Sequence, residues 1–328
     1  MKRNLNLLLL VLFAVLLFSS CNKTDEEMLT PISAIPVKGK NRFTTNIDGS
    51  EREYYVHIPQ SYTGTSVVPV VFMLHGTSGD GEKFYNISGW REVGEDENII
   101  TVFPSSWRYC INDNGETKNT TKWNVPPDAE FSFCAGQTPR NDIKFLNTII
   151  TELNSKYKID NKRIYLSGFS NGGQMAAKCA IEMSDKFAAI AENAGSFYLD
   201  TTYIPKRKLP VLYQTGNEDY GPGNTGPEIP LSKLDTILRT PGLPYLGGKI
   251  NKVANSHIKN FGLSANFTIT GDTNSVVMAT FKTLNPGNGY DFKLVLVKGL
   301  GHQYPNGDNH WMEAARVQWV WFKQYSLP

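Results

Sequence analysis

The sequence predicts an α/β fold with a mostly parallel central sheet and helices on both faces. Two observations predict it. Short apolar runs, typical of buried strands, alternate along the chain with segments whose apolar residues recur at helical spacing. Residues 67–74 are almost continuously apolar, which indicates a strand buried on both faces. Because repeated alternation of strand and helix favours parallel pairing, the sheet is predicted to be mostly parallel.

The predicted strands follow one another in a regular order. Residues 52–58 alternate polar and apolar side chains, and residues 99–103 form an apolar run that Pro104 ends. Residues 163–167 form a short strand, and residues 292–297 are strongly apolar. The full set of predicted strands is residues 52–58, 67–74, 99–103, 163–167, 187–192, 210–214, 276–281 and 292–297.

Four helices are predicted among and after these strands. Residues 142–157 carry apolar side chains at helical spacing, with Asn141 or Asp142 as the N-terminal cap. Residues 171–183 are rich in small apolar residues, and residues 249–260 are amphipathic. A final helix is predicted around residues 310–324.

Composition limits the possible classes of protein. Of the 328 residues, 40% are hydrophobic and 20% are charged, so the chain can bury a sizeable core and wholesale disorder is excluded. The 33 basic and 31 acidic residues give a net charge of +2 with no basic stripe. A nucleic-acid partner is therefore not expected, because the electrostatic footprint of such a binder is missing.

The first twenty residues form a separate segment. Lys2 and Arg3 precede an apolar run at residues 5–18, which is typical of a signal peptide. The following Ser19-Ser20-Cys21 resembles the lipobox of bacterial lipoproteins, in which the cysteine carries the lipid. We therefore expect a lipoprotein signal peptide at residues 1–20, a flexible tether at 21–40 and a catalytic domain at 41–328. An ordinary signal peptide or a membrane anchor is the alternative.

This leader predicts an exported protein that is lipid-anchored to the cell envelope at the outer membrane or cell surface. In such a compartment, Cys110 and Cys134 are predicted to form a disulfide. They flank residues 111–133, a polar stretch that is predicted to be a long loop. Cys179 lies in the small-residue helix and is predicted to be a buried free thiol. None of the cysteines has the spacing of a zinc site.

The strongest chemical signal is a G-x-S-x-G motif, Gly168-Phe169-Ser170-Asn171-Gly172, between a predicted strand and a predicted helix. On a tight turn of this kind, the serine hydroxyl stands clear of the sheet and can act as a nucleophile. A purely structural turn is the alternative. The motif predicts Ser170 as the nucleophile of an acyl-transfer enzyme, a chemistry that requires neither cofactor nor metal.

A serine nucleophile needs a histidine base, which follows it in the chain in this architecture. His302 lies in a glycine-flanked loop after the strand at residues 292–297 and is the predicted base. His310, at the start of the last predicted helix, is the weaker candidate. His57 and His75 precede the nucleophile, and His257 lies on an amphipathic helix.

The acid that orients the histidine should lie in a loop after a strand, between Ser170 and His302. Asp219 follows the strand at residues 210–214 and is the predicted acid, with Glu218 as its nearest rival. Asp200 and Asp235 lack a preceding buried strand and are interpreted as solvated loop carboxylates.

Acyl transfer also needs two donors for the oxyanion. The backbone N–H of Asn171 directly follows the nucleophile, and that of Thr77 lies in the loop at residues 74–79, after an early strand. An ordinary turn at the strand end is the alternative for this loop.

Together these segments resemble the extracellular esterases of the polyhydroxybutyrate depolymerase and feruloyl esterase group, which are similar to carbohydrate esterase family 1 and belong to the α/β-hydrolase superfamily. The resemblance covers about residues 40–325 and implies the triad Ser170, Asp219 and His302. The motifs that carry it are Leu74-His75-Gly76, Gly89-Trp90, Asn141-Asp142, residues 168–173, and His302 with Pro305. Thr215-Gly216-Asn217 and Tyr304 depart from the residues often found in this group.

The substrate is predicted from weaker signals. Aromatic residues in the polar stretch at 105–133 suit stacking on sugar or feruloyl rings, although they equally fit a small core of that segment. Trp107, Trp123 and Tyr304 are the predicted substrate contacts. The resemblance implies an enzyme that removes feruloyl or acetyl groups from plant cell-wall polysaccharide. A polyester hydrolase, a serine peptidase of the same fold, and a noncatalytic glycan-binding lipoprotein are the alternatives.

Overall fold

The structure is a computed structural model that describes residues 37–113, 115–125, 131–196, 203–284 and 290–328. The predicted signal peptide, Cys21, most of the tether and Asp200 lie outside the described residues, as does the side chain of Phe131. The described residues belong to one compact unit, Ile35–Pro328.

Strands and helices alternate through this unit. The described strands are β1 (Gly39–Ile47), β2 (Ser50–Ile58), β3 (Val68–Leu74), β4 (Ile100–Pro104), β5 (Trp107–Asp113), β6 (Glu116–Lys122), β7 (Phe131–Phe133), β8 (Ile159–Phe169), β9 (Ala189–Asn193), β10 (Val211–Gly216), β11 (Leu263–Asp272), β12 (Val276–Thr283) and β13 (Asp291–Val297). The described α-helices are α1 (Gly81–Ile87), α2 (Trp90–Glu97), α3 (Asp142–Lys156), α4 (Asn171–Glu182), α5 (Leu234–Arg239), α6 (Tyr245–Phe261) and α7 (Ala314–Phe322).

Ten strands form one sheet in the order β1-β2-β4-β3-β8-β9-β10-β13-β12-β11. The six central strands, from β4 to β13 in that order, pair in parallel. The two strands at each edge pair antiparallel. Every residue of β3 and of β4 is buried, as expected for parallel strands covered on both faces. The predicted mostly parallel sheet is therefore confirmed.

The helices cover the sheet on both faces. α3, α4 and α6 pack on one face, and α1, α2 and α7 pack on the other. Successive side chains of a strand point to opposite faces, so Phe72 of β3 belongs to the first core and Met73 to the second. Asn141 caps α3 by accepting a hydrogen bond from the N–H of Lys144. The prediction of helices on both faces is confirmed.

Several predicted boundaries differ from the structure by a few residues. The tether was expected to reach residue 40, but β1 begins at Gly39, which pairs with Ile58 of β2. The last helix was expected from about residue 310, but it begins at Ala314. His310 lies in the preceding loop, where its carbonyl accepts a hydrogen bond from the N–H of Gly307.

Residues 111–133, which were predicted to be a long loop, contain most of a second sheet. β5, β6 and β7 pair antiparallel in the order β6-β5-β7. Cys110 on β5 and Cys134 after β7 form the predicted disulfide, with their Cα atoms 5.5 Å apart. The rings of Tyr109 and Phe133 lie 4.7 Å apart, and Tyr109 is buried, so these aromatic side chains pack within the sheet. Cys179 is buried and free, as predicted.

The disulfide is expected to stabilise the folded chain. It joins residues 24 positions apart, and in the chain-entropy model a loop of this length corresponds to about 3 kcal/mol, although measured gains are often smaller. A variant with both Cys110→Ser and Cys134→Ser is expected to unfold several degrees below the parent in a thermal scan. Reductant should lower the unfolding temperature of the parent toward that of the variant and should leave the unfolding temperature of the variant unchanged. An equal unfolding temperature for the oxidised parent and the variant would contradict this prediction.

No helix in the described part of the chain is both long and apolar enough to cross a bilayer.

Candidate active site

The predicted site residues meet at the carboxyl ends of the central parallel strands. Ser170 follows β8, Asp219 follows β10 and His302 follows β13. The loop with Thr77 follows β3, which pairs directly with β8. Loops at this end of a parallel sheet lie side by side, so residues distant in sequence are brought together.

Ser170 occupies a strained turn between β8 and α4. Its φ of 54° and ψ of −119° lie outside the regions that most residues adopt. The turn is tight because a Cβ on Gly168 would lie 2.0 Å from the carbonyl oxygen of Gly172. A Cβ on Gly172 would lie 2.4 Å from the carbonyl oxygen of Leu74. Glycine is therefore required at both positions of the motif.

A chain of hydrogen bonds joins the three side chains. Ser170 Oγ lies 2.9 Å from His302 Nε2, and His302 Nδ1 lies 2.7 Å from Asp219 Oδ1. Asp219 is fully buried, and the His302 side chain is 11% exposed. With Asp219 accepting from Nδ1–H, Nε2 is left as an acceptor for the serine proton. The structure thus places the His302 imidazole beside the Ser170 hydroxyl and the Asp219 carboxylate beside that imidazole.

The rival candidates lie elsewhere. The backbone N–H of Glu218 donates to the carbonyl oxygen of Leu300, whereas the carboxylate that contacts His302 is that of Asp219. His310 Nε2 lies 2.9 Å from the carbonyl oxygen of Lys298. Asp235 accepts a hydrogen bond from Arg239 on the surface of α5. Among the candidate acids and bases in the described residues, Asp219 and His302 are the two that the hydrogen-bond chain joins to Ser170.

The surroundings of Asp219 keep it ionised. Burial opposes the charged form, but hydrogen bonds from His302 and Thr215, together with the positive charge of Lys249, outweigh it and lower the pKa of Asp219 below its ordinary value. The Thr215 hydroxyl donates to Oδ2 at 3.0 Å, and the N–H of Gly221 donates to Oδ1 at 3.1 Å.

Asn217 holds the acid loop against the histidine loop. Its N–H donates to the carbonyl oxygen of Val297, and its Oδ1 accepts from the N–H of Gly299 at 2.8 Å. Its Nδ2 donates to Glu228 and to the carbonyl oxygen of Ile229. Asn217 occupies one of the positions where the sequence departs from the family pattern, and here it joins the loops that carry Asp219 and His302.

A buried polar network supports the Ser170 turn from below. Ser167 Oγ donates to Gln318 Oε1 at 2.8 Å, and Gln318 Nε2 donates to Asn193 Oδ1 at 2.6 Å. Asn193 also donates to the carbonyl oxygen of Gly168 and accepts from the N–H of Ser170. Neither Asn193 nor Gln318 belongs to a motif in the sequence. Their polar character on a strand and helix that pack in the core was the signal that could have identified them.

The loop with Thr77 packs directly on Ser170. A Cβ on Gly76 would lie 3.1 Å from the Cβ of Ser170. Thr77 is partly exposed, and Asn171 is the first residue of α4, where backbone N–H groups have no acceptor within the helix. Both predicted oxyanion donors therefore belong to segments in contact with Ser170.

His75 fixes the start of this loop in one tautomer. The N–H of Ser106 donates to His75 Nε2 at 2.9 Å, so Nδ1 carries the hydrogen and donates to the carbonyl oxygen of Gly76 at 2.7 Å. The side chain is fully buried, and burial lowers the pKa of His75 to about 4. His75 precedes Ser170 in the chain and is not the predicted base, and its hydrogen bonds instead fix the conformation of this loop.

We expect the His75 imidazole to stay neutral from pH 8 to about pH 5. Because its pKa is lower in the folded than in the unfolded chain, the unfolded chain binds the proton first, and stability falls as pH decreases from about 6.5 toward 4. Across that window, His75 contributes roughly 3 kcal/mol to the pH dependence of the free energy of unfolding. Imidazole NMR signals followed across this pH range would measure the pKa of His75. Titration of His75 near pH 6.5 in the folded chain would contradict the prediction.

Two of the three predicted substrate contacts are buried and make hydrogen bonds within the protein. Trp123 is completely buried, and its indole N–H donates to the carbonyl oxygen of His75. Tyr304 is 4% exposed, and its hydroxyl accepts from the indole N–H of Trp90. Trp107 is half-buried, with the Arg140 guanidinium 4.8 Å from its ring centre. Aromatic residues in this polar segment are thus largely used to build the structure.

Among the described residues, no group of three or more His, Cys, Asp or Glu side chains is arranged to hold a metal ion.

Comparison with known proteins decides the family. The model of the Esterase family, described as "Putative esterase", matches residues 45–215, slightly more than half of the 328 residues. The chain belongs to this esterase family. The match includes the loop with Thr77 and the Ser170 motif, and it ends at the strand that precedes Asp219.

Several curated proteins resemble this esterase. Feruloyl esterase B of Piromyces equi is 25% identical over 285 residues, which are 84% of this chain and 46% of that protein. The bifunctional acetylxylan esterase/xylanase XynS20E of Neocallimastix patriciarum is 25% identical over 171 residues, 52% of this chain and 22% of that protein. Poly(3-hydroxyalkanoate) depolymerase C of Paucimonas lemoignei is 25% identical over 57% of this chain and 39% of that protein. This esterase spans less than half the length of each of these three relatives.

Solved structures support the fold. The acetyl xylan esterase from Aspergillus awamori matches this esterase with a TM-score of 0.56 at 14% identity, over 86% of this chain and 99% of that one. A thermostable esterase matches with a TM-score of 0.50 at 16% identity, over 88% of this chain and 63% of that one. The α/β-hydrolase fold implied by the sequence resemblance is confirmed.

Proposed function

We propose that this esterase is a serine carboxylic ester hydrolase that removes feruloyl or acetyl groups from plant cell-wall polysaccharide. The observation that supports it most directly is the hydrogen-bond chain from Ser170 Oγ through His302 to Asp219. A serine hydroxyl is a weak nucleophile by itself, and an adjacent neutral imidazole removes its proton as it attacks. The strained turn exposes that hydroxyl at the carboxyl end of the sheet.

The proposed reaction proceeds in two halves. Ser170 Oγ bonds to the ester carbonyl carbon while its proton passes to His302 Nε2, and the carbonyl oxygen becomes an oxyanion. The carbon–oxygen bond to the alcohol then breaks, and the alcohol leaves with the proton from His302. Water attacks the acyl-serine, gives its proton to His302, and the carboxylic acid leaves as Ser170 regains its hydrogen. Each half forms and breaks one carbon–oxygen bond, so no cofactor is consumed.

The charges that develop during the proposed reaction have proposed partners in the site. Imidazolium forms at His302 in each half, and buried, ionised Asp219 stabilises it through the 2.7 Å contact to Nδ1. The oxyanion is proposed to accept hydrogen bonds from the backbone N–H groups of Asn171 and Thr77. Each such donor is worth about 3 kcal/mol of transition-state stabilisation in enzymes of this kind.

The proposed substrate class rests on the relatives. The relatives include a feruloyl esterase and a bifunctional acetylxylan esterase/xylanase. The match to a poly(3-hydroxyalkanoate) depolymerase favours polyester as the second candidate substrate. Of the predicted substrate contacts, Trp107 is the one that keeps exposed surface, and it remains a proposed contact.

A substrate panel tests this proposal. Methyl ferulate, acetylated xylan and a short-chain hydroxybutyrate polyester should be compared with the same enzyme preparation. We expect the highest kcat/KM on methyl ferulate or on acetylated xylan. Hydrolysis of the polyester alone would support the second candidate substrate and contradict the first.

We also propose that the protein is exported and anchored through lipid on Cys21. The charged and apolar leader that ends in Ser19-Ser20-Cys21 supports this. The full chain expressed in a bacterium should partition into the detergent phase of a Triton X-114 separation. The Cys21→Ala chain should lose the lipid mass. An unmodified Cys21 in the mature parent would contradict the anchor.

A further inference from the structure

We infer that the small sheet β5–β7 positions the oxyanion donors, and that Trp123 is the positioning residue that joins their two segments. This inference rests on the proposed function, because it assigns a role in that function to a sheet outside the triad. Hydrogen bonds join the end of β6 to the loop with Thr77 and to Asn171, the residue after Ser170.

The loop with Thr77 is held on both sides of Thr77. Before it, the carbonyl oxygen of His75 accepts from the indole N–H of Trp123 at 2.8 Å. After it, the N–H of Ser78 donates to the carbonyl oxygen of Thr121 at 3.0 Å, and the Thr121 hydroxyl donates to the carbonyl oxygen of Gly79. The backbone N–H of Thr77 is therefore fixed by contacts to a single strand and the residue that follows it.

This loop needs such support because part of it is strained. Ser78 has a φ of 63°, a conformation that residues other than glycine adopt at a cost of about 1 to 3 kcal/mol. Both its N–H and its hydroxyl contact β6, the hydroxyl lying 2.6 Å from Thr120 Oγ1. The contacts to β6 therefore coincide with the residue whose backbone would otherwise relax and move the adjacent Thr77.

Asn171, which carries the second proposed oxyanion donor, is also hydrogen-bonded to Trp123. The backbone N–H of Trp123 donates to Asn171 Oδ1 at 2.7 Å, and Asn171 carries the other proposed oxyanion donor. Trp123 thus contacts the Thr77 loop with its side chain and the Ser170 turn with its backbone. The distance between the two donors depends on this one residue.

Trp123 itself is held firmly. The next residue, Asn124, donates its N–H to Asp142 Oδ2 at 2.7 Å and accepts from Lys178 Nζ at 2.9 Å. Asp142 is fully buried and pairs with Arg52 at 2.8 Å. The end of β6 is therefore bound to the starts and flanks of α3 and α4, and Trp123 cannot shift without breaking buried polar contacts.

The variant Trp123→Phe separates positioning from packing. Phenylalanine keeps an aromatic ring but removes the N–H that holds His75, while the backbone bond to Asn171 remains. Loss of a whole oxyanion donor lowers kcat by about 10² to 10³ fold in other serine hydrolases, so displacement of one donor is expected to lower kcat by about 10 to 100 fold. KM on a small activated ester should change by less than about threefold, since ground-state binding does not use the oxyanion.

A matched control removes an indole with no such contact. Trp319 on α7 is also buried, and within the described residues its indole N–H has no acceptor. Trp319→Phe introduces the same change in volume and should leave kcat within about twofold. A trifluoromethyl ketone, which forms a tetrahedral oxyanion on the nucleophile, supplies a second readout. Its affinity should fall in Trp123→Phe by the same factor as kcat/KM and should stay constant in Trp319→Phe.

The outcomes are distinct. If the parent hydrolyses esters and Trp123→Phe retains both its kcat and its affinity for the ketone, the positioning role is overturned while the proposed function stands. If the parent hydrolyses no ester, the proposed function fails first. If Trp123→Phe does not fold, Thr121→Val replaces it. This variant removes the hydroxyl that donates to the carbonyl oxygen of Gly79. A fall in kcat of several fold with KM unchanged would then support the inference, and an unchanged kcat would overturn it.

Discussion

Ser170→Ala is expected to lower kcat on a small activated ester by about 10⁵ fold or more. The removed oxygen is the atom that bonds to the acyl carbon, and nothing else in the described site replaces it 2.9 Å from His302 Nε2. Alanine at a φ of 54° is no less strained than serine, and the turn is set by the surrounding glycines, so the fold should persist. Stopped assays at high enzyme concentration, with circular dichroism of the same samples, measure both effects.

The control is a serine of equal chemistry outside the site. Ser155 is exposed on α3, and Ser155→Ala should keep the activity of the parent. A Ser170→Ala chain that turns over within tenfold of the parent would show that another group performs the chemistry. His302→Ala should lose about as much as Ser170→Ala, since the serine then has no base.

Asp219→Asn is expected to lower kcat by about 10⁴ fold. Asparagine is close in size to aspartate but can present its NH₂ group to His302 Nδ1, which favours the tautomer with a hydrogen on Nε2. That tautomer cannot accept the proton of Ser170. The charge that stabilises the imidazolium is lost as well, so the effect combines the wrong tautomer with weaker electrostatics.

The neighbouring residue supplies the comparison for this prediction. Glu218 is partly exposed, and its side chain makes no hydrogen bond to His302. Glu218→Gln removes one negative charge next to Asp219 and should change kcat by less than about threefold. A larger loss for Glu218→Gln than for Asp219→Asn would place the catalytic acid one residue earlier. The ratio of the two kcat values therefore tests the assignment directly.

Much of the site could be predicted because its parts follow strong strands. Ser170, Asp219 and His302 each lie in the segment that follows a strand of the parallel part of the sheet, and such strand ends meet at one edge of a sheet. The order of serine, acid and histidine then limited the candidates to a few residues. Local sequence patterns predict these residues, whereas their contact depends on the topology of the whole sheet.

The small sheet could not be predicted from hydrophobic periodicity. β6 consists of Glu, Thr, Lys and Asn residues, so no apolar alternation marks it, and its place in the sheet comes from its pairing with β5. β1 was also missed, although Asp48-Gly49 is a strong hairpin signal and both residues have positive φ. In the first case the sequence lacked the signal, and in the second the signal was present but not used.

The roles of buried polar and aromatic residues depended on distant partners. Gln318 and Asn193 are 125 positions apart, so their contact beneath Ser170 has no local signature. Trp123 is predicted as a substrate contact because it is an aromatic residue in a polar segment, and Tyr304 because it lies two residues after His302. Their polar atoms instead bond to His75 and Trp90, and such partners allow a tryptophan or tyrosine to be buried.

Covalent labelling by a fluorophosphonate shows whether Ser170 is an activated nucleophile. Such a probe phosphonylates a serine only when a neighbouring base activates it, and it requires no knowledge of the natural substrate. Peptide mapping after labelling of the folded chain is expected to show one adduct, on Ser170, with labelling abolished in Ser170→Ala and slowed by orders of magnitude in His302→Ala. A folded chain that remains unlabelled, as a noncatalytic glycan-binding protein would, or that carries the adduct on a different serine, would contradict the account.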